Sequence, residues 1–132
     1  CTASTQYGYA EMLKLSCEGK INFVEDTREY ELRASKMKKI FTDNGFHIVY
    51  DHDVSQQVGD GFFFTIGYDH LTGGELLKEL MYYGVSSISL STTGSKQQGV
   101  RACVSRMRND LYPAMEERMR AFHADHMHNL DK

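Results

Sequence analysis

The chain has 132 residues, 41% of them hydrophobic and 25% charged, with a formal net charge of −3. That length suits one domain. An acidic balance without a basic patch argues against nucleic-acid binding, and the lack of any apolar run of about 18 residues argues against a membrane-spanning helix.

The opening segment Cys1-Thr2-Ala3-Ser4-Thr5 has no targeting character. The chain reads as part of something longer, with which an active site can be shared. Ser4 or Thr5 can cap a helix running to about Glu18, with Gly19 as its stop. Tyr9, Met12, Leu13 and Ser16-Cys17 recur in it at helical spacing. A longer helix is expected over about 20–43, with Ile21, Val24, Ala34, Met37 and Phe41 on its apolar stripe and Glu29→Arg33 on its outside. Asn44-Gly45 suits a left-handed cap.

Phe46 to Tyr50 reads as the first strand and Asp51 to Asp60 as a polar loop. Gly61 to Gly67 is the second strand, with Phe62, Phe64 and Ile66 on one face. Thr72 with Glu75 forms a capping box for a helix over 73–83, whose Leu76, Leu77, Leu80 and Met81 point inward. Val85 to Leu90 is the third strand, Ser91 to Gln98 a loop, and Gly99 to Ser105 the fourth strand. A last amphipathic helix covers about 110–128, with Leu111, Met115, Met119 and Phe122 along its stripe and Pro113 in its first turn. The order α-α-β-β-α-β-β-α predicts an α+β two-layer sandwich: helices packed on a small, mostly antiparallel sheet.

Three cysteines, Cys1, Cys17 and Cys103, are too few and too scattered for a disulfide framework or a zinc site. Cys17 and Cys103 are expected to be small buried hydrophobes in a reducing cytoplasm. His123 and His126 are three apart on a helix and can share a metal, but without a carboxylate-His signature the pattern fits a solvated, pH-sensitive helix end better. No metal is expected. Gly94-Ser95-Lys96-Gln97-Gln98-Gly99 leads into a strand, not a helix, so it is not a phosphate-binding loop. Nothing near Lys96 points to a depressed amine of the Schiff-base kind. The serines lack a G-x-S-x-G elbow. Phe62-Phe63-Phe64 lacks the basic neighbours of a base-stacking platform and reads as core.

Arg101 stands out. It is a fork of five donors that is always charged, in a run that otherwise reads as a buried strand. An unpaired buried charge is costly. Either an internal carboxylate such as Glu75 or Asp69 meets it, or it clamps the carboxylate of a ligand, which a bidentate fork suits.

From Gly61 onward the order of motifs resembles the C-terminal small domain of class I/II aminotransferases, the fold-type I enzymes that use pyridoxal 5'-phosphate. The segments that carry this are Gly61-Phe62-Phe63-Phe64, then Leu71-Thr72-Gly73-Gly74-Glu75-Leu76-Leu77-Lys78-Glu79-Leu80, then Tyr83-Gly84-Val85, then Gly99-Val100-Arg101-Ala102-Cys103-Val104-Ser105. Upstream, Ile40 to Phe46 resembles the family's helix end before its first small-domain strand. The resemblance implies that Arg101 binds the α-carboxylate of an amino-acid or keto-acid substrate, a positioning contribution. It implies an enzyme of amino-acid metabolism, moving an amino group between amino acids and keto acids, and a homodimer in full-length form; the cysteine usage favours the cytoplasm.

The family's Schiff-base lysine lies in the large domain, and Lys96 is in the wrong segment to replace it. No catalytic residue is therefore assigned in this chain. By itself it is expected neither to bind the cofactor tightly nor to transaminate, and the missing large domain is its expected partner. A lyase, decarboxylase or acyltransferase of the same fold, or a non-catalytic α+β module with Arg101 in an ion pair, are the rival readings.

Overall fold

The computed structural model describes residues 2–59 and 61–127. Four helices, α1 (Ala3–Cys17), α2 (Arg28–Asp43), α3 (Gly73–Tyr82) and α4 (Tyr112–Met127), accompany six short strands. The strands are β1 (Phe46–Ile48), β2 (His52–Asp53), β3 (Gln56–Gln57), β4 (Phe63–Tyr68), β5 (Ile88–Ser89) and β6 (Val100–Cys103). β1, β4, β6 and β5 form one sheet in that spatial order, antiparallel throughout. The fold is the expected α+β class, with helices packed on a small antiparallel sheet. β2 and β3 add a separate hairpin within the segment read as a loop, pairing His52 with Gln57 and Asp53 with Gln56. All four of these residues are exposed, so no hydrophobic alternation marks the hairpin in the sequence.

The sheet is buried on one face. Phe64, Ile66 and Tyr68 of β4 alternate inward, as do Val100 and Ala102 of β6. They meet Ala34, Met37, Ile40 and Phe41 of α2, Leu76 and Leu80 of α3, and Met115, Met119 and Phe122 of α4. Phe46 joins these layers, its ring 5.1 Å from Phe41 and 4.9 Å from Tyr68. Aromatic contacts of this kind add to what burial of the rings already contributes. α3 begins with the predicted capping box: the Thr72 side chain accepts from the Glu75 N–H, and Glu75 accepts from the Thr72 N–H. Hydrogen bonding to Thr72 holds the Glu75 carboxyl below its ordinary pKa.

Several expectations are corrected. α1 starts at Ala3, so Ser4 and Thr5 sit in its first turn and not at its cap. α1 buries no residue among those described, and Tyr9 and Leu13 are exposed. Its apolar spacing does not correspond to a face packed within this domain. α2 starts at Arg28, not near residue 20, because the Asn22 side chain accepts from the Glu25 N–H at 3.3 Å and turns the chain. Ile21 and Val24 are consequently exposed.

β5 and β6 are shorter than predicted, although single backbone hydrogen bonds continue beyond them, from the Leu90 N–H to the Gly99 carbonyl and from the Val104 N–H to the Phe62 carbonyl. Phe62 lies before β4 and is exposed, as are Met81 on α3 and Leu111 in the turn just before α4. Cys17 and Cys103 are both exposed, against the expectation of burial. Cys103 points to the open face because β6 alternates, and Cys17 ends a helix that packs on nothing described.

Candidate functional site

Arg101 lies in the middle of β6, flanked by Thr65 of β4 on one side and Ile88 of β5 on the other. Its neighbours Val100 and Ala102 are buried, so the alternation of the strand places Arg101 on the opposite face, half-buried. The strand is therefore one-sided and not, as the apolar run suggested, buried on both faces. Phe63 shares the open face, and the Arg101 guanidinium carbon stands 4.2 Å from the centre of its ring. This is cation–π range.

Neither carboxylate considered from the sequence meets Arg101. Glu75 is engaged by Thr72, accepting from its hydroxyl at 2.7 Å. Asp69 lies 3.3 Å from the His47 imidazole. Among the described residues Arg101 makes no hydrogen bond or ion pair.

The approach to β6 is tightly fixed. Gly99 has φ +140°, and a Cβ there would stand 2.5 Å from the Ile66 carbonyl oxygen. A Cβ on Gly73 would stand 2.6 Å from the Gly99 carbonyl. The start of α3 and the start of β6 are thus in contact, and the Gly73 N–H donates to Gln98 Oε1 at 2.8 Å. The preceding loop is held to the first strand's extension by the Tyr50 and Ser95 hydroxyls, 2.6 Å apart. Arg33 of α2 donates to the Ser105 carbonyl at 2.8 Å and secures the far end of β6. A rigid strand with both ends secured holds its side chains in defined positions.

Arg101 opens onto a cavity of about 660 Å³ between the α3–β5 loop, the end of β6 and α4. Arg106 and Arg118 line the same cavity, together with Ser86, Ser87 and Cys103. Sequence reasoning missed Arg106 and Arg118, because only the packing of α4 beside β6 brings these distant positions together. The Arg118 guanidinium donates to the Gly84 carbonyl at 3.2 Å.

The histidines serve other contacts. His123 Nδ1 lies 2.8 Å from the Tyr68 hydroxyl. His126 stacks on Phe122 at 4.1 Å and lies 3.6 Å from Glu79. Among the described residues no group of three His, Cys, Asp or Glu is placed to hold a metal. No described helix is long and apolar enough to cross a membrane.

Lys96 is exposed on its loop. It does not fit the lysine that a pyridoxal cofactor requires, and neither do the other residues lining the Arg101 cavity, which include no lysine. No protein-family model matches the chain, and no curated protein matches it.

Proposed function

We propose that the chain is the substrate-carboxylate-binding small domain of a pyridoxal phosphate-dependent aminotransferase, with Arg101 as the carboxylate clamp. The observation that carries this reading is a guanidinium stacked on Phe63 at 4.2 Å, on the open face of the sheet, with no anionic partner among the described residues. An arginine in a structural ion pair would have its carboxylate beside it. The order of motifs from Gly61 to Ser105 supplies the aminotransferase assignment, and the one-sided α+β sheet is compatible with it.

In this reading the cofactor and its lysine are held by a large domain outside this chain. The contribution of the chain is to fix the substrate carboxylate and so orient the rest of the molecule. A planar fork is suited to this because two parallel N–H···O bonds set direction as well as distance.

The test is kinetic. In the enzyme that carries this chain, Arg101→Ala should lower kcat/KM for transfer from an amino acid to 2-oxoglutarate by roughly 100-fold or more, the scale of removing one partner of a hydrogen-bonded charge pair. Arg101→Lys should recover part of the loss. Unchanged kinetics would overturn the clamp, and an enzyme that eliminates or decarboxylates the amino acid without transferring nitrogen would move the reading to a lyase.

A further inference from the structure

The cavity beside Arg101 has a composition that the carboxylate clamp does not use. Three guanidinium groups, from Arg101, Arg106 and Arg118, open onto it, and no aspartate or glutamate is among its described lining residues. The chain as a whole is acidic, so this local excess of positive charge does not reflect general composition. Neither Arg101 nor Arg106 makes an ion pair among the described residues, and the Arg118 contact to Gly84 is with a neutral carbonyl. A concave, low-dielectric wall strengthens the field of such a group of cations.

Much of the remaining wall is apolar, and part of it belongs to the core, with Phe41 and Met115 contributing to it. A volume near 660 Å³ lies in the range that accommodates small organic ligands. An independent sign comes from Ser87, whose hydroxyl oxygen is buried with no hydrogen-bond partner among the described residues. A buried hydroxyl without a partner is costly, so such groups normally have one.

The geometry points to a binding site for an amphipathic organic anion, its acidic head held by Arg106 and Arg118 and its hydrocarbon body against the apolar wall. This goes beyond the proposed function: it needs neither the cofactor nor a large domain, and it assigns Arg106 and Arg118, which the substrate clamp leaves without a role. Guanidiniums lining one cavity suit a carboxylate head, and an apolar body is required because a bare inorganic anion would leave the wall unfilled.

Calorimetric titration of this chain with decanoate, kept below its micelle concentration, tests the site. Saturable binding is expected, at least tenfold tighter than for decanol and weakened at least tenfold by Arg106→Gln and by Arg118→Gln. Both side chains are exposed, so each variant should retain the wild-type circular dichroism spectrum. Equal affinity for decanoate and decanol would overturn the proposal, as would decanoate binding that neither substitution weakens. A loss confined to Arg101→Gln would also overturn it, since the head would then sit on the clamp alone. The outcome is separable from the proposed function, which stands or falls on the kinetics of Arg101→Ala.

Discussion

The guanidinium carbon of Arg101 rests 4.2 Å from the centre of the Phe63 ring, across two strands in which Arg101 pairs with Thr65. The contact is to an aromatic ring and not to a hydrogen-bond acceptor, and among the described residues no hydrogen bond engages the guanidinium donors. The contact therefore orients Arg101 without consuming its hydrogen-bonding capacity. Such contacts at partly exposed sites are worth about 0.5–1 kcal/mol.

Phe63→Leu should accordingly cost less than about 1 kcal/mol in stability while loosening the Arg101 side chain. The measurement is side-chain NMR relaxation at the guanidinium group, compared between wild type and variant. An Arg101 as ordered in the variant as in the wild type would show that the ring does not hold it.

Gly99 combines a φ of +140° with a carbonyl 2.5 Å from where a Cβ would stand. The blocking atom is the Ile66 backbone of the central strand, which cannot swing aside as a side-chain tip does. Gly99→Ala should therefore destabilise by more than about 1 kcal/mol, outweighing the gain from stiffening the unfolded chain. Gly74 offers a control: it is exposed in the first turn of α3 with open space around its Cβ position, so Gly74→Ala should be neutral or stabilising. Urea unfolding of the two variants side by side decides the matter.

The Tyr83 hydroxyl donates to Asp125 at 2.5 Å, joining the end of α3 to α4. That hydrogen bond, with burial and the nearby negative charges of Asp125 and Glu79, pushes the phenol up to about 12 from an ordinary value of 10.0. Below pH 10 both folded and unfolded chains keep this proton. Between about 10 and 12 the unfolded chain releases it while the folded chain retains it, so the unfolded state binds fewer protons and stability falls as pH rises. Tyr83→Phe should reduce this alkaline loss in unfolding experiments across that window. It should not abolish it, because burial also raises Tyr68 and Tyr112. A pH profile identical to the wild type would mean that the hydrogen bond does not form in solution.

Where periodicity and caps agree, the sequence was a sufficient guide. Thr72 and Glu75 announce the start of α3, and both Leu76 and Leu80 are fully buried on its inner face. Met115, Met119 and Phe122 mark α4 in the same way. The failures lie where a local signal competes with a distant one. Asn22 turns the chain and shortens α2, although Ile21 and Val24 continue the helical spacing. In α1 the apolar spacing is present, but among the described residues none of the helix is buried. Spacing records which residues can share a face, not whether anything covers that face.

The candidate site divides in the same manner. The sequence by itself determined the α+β class, the capped helices and the oddity of a permanently charged residue within the apolar run around Arg101, because these depend on periodicity and side-chain chemistry. It left open whether a carboxylate met that charge. Only the tertiary structure settled where Glu75 and Asp69 direct their oxygens, how Phe63 comes to lie under the guanidinium, and how Arg106 and Arg118 arrive at one cavity. Strand register and helix packing set these relationships, joining positions that are far apart in the chain, and no local pattern encodes them.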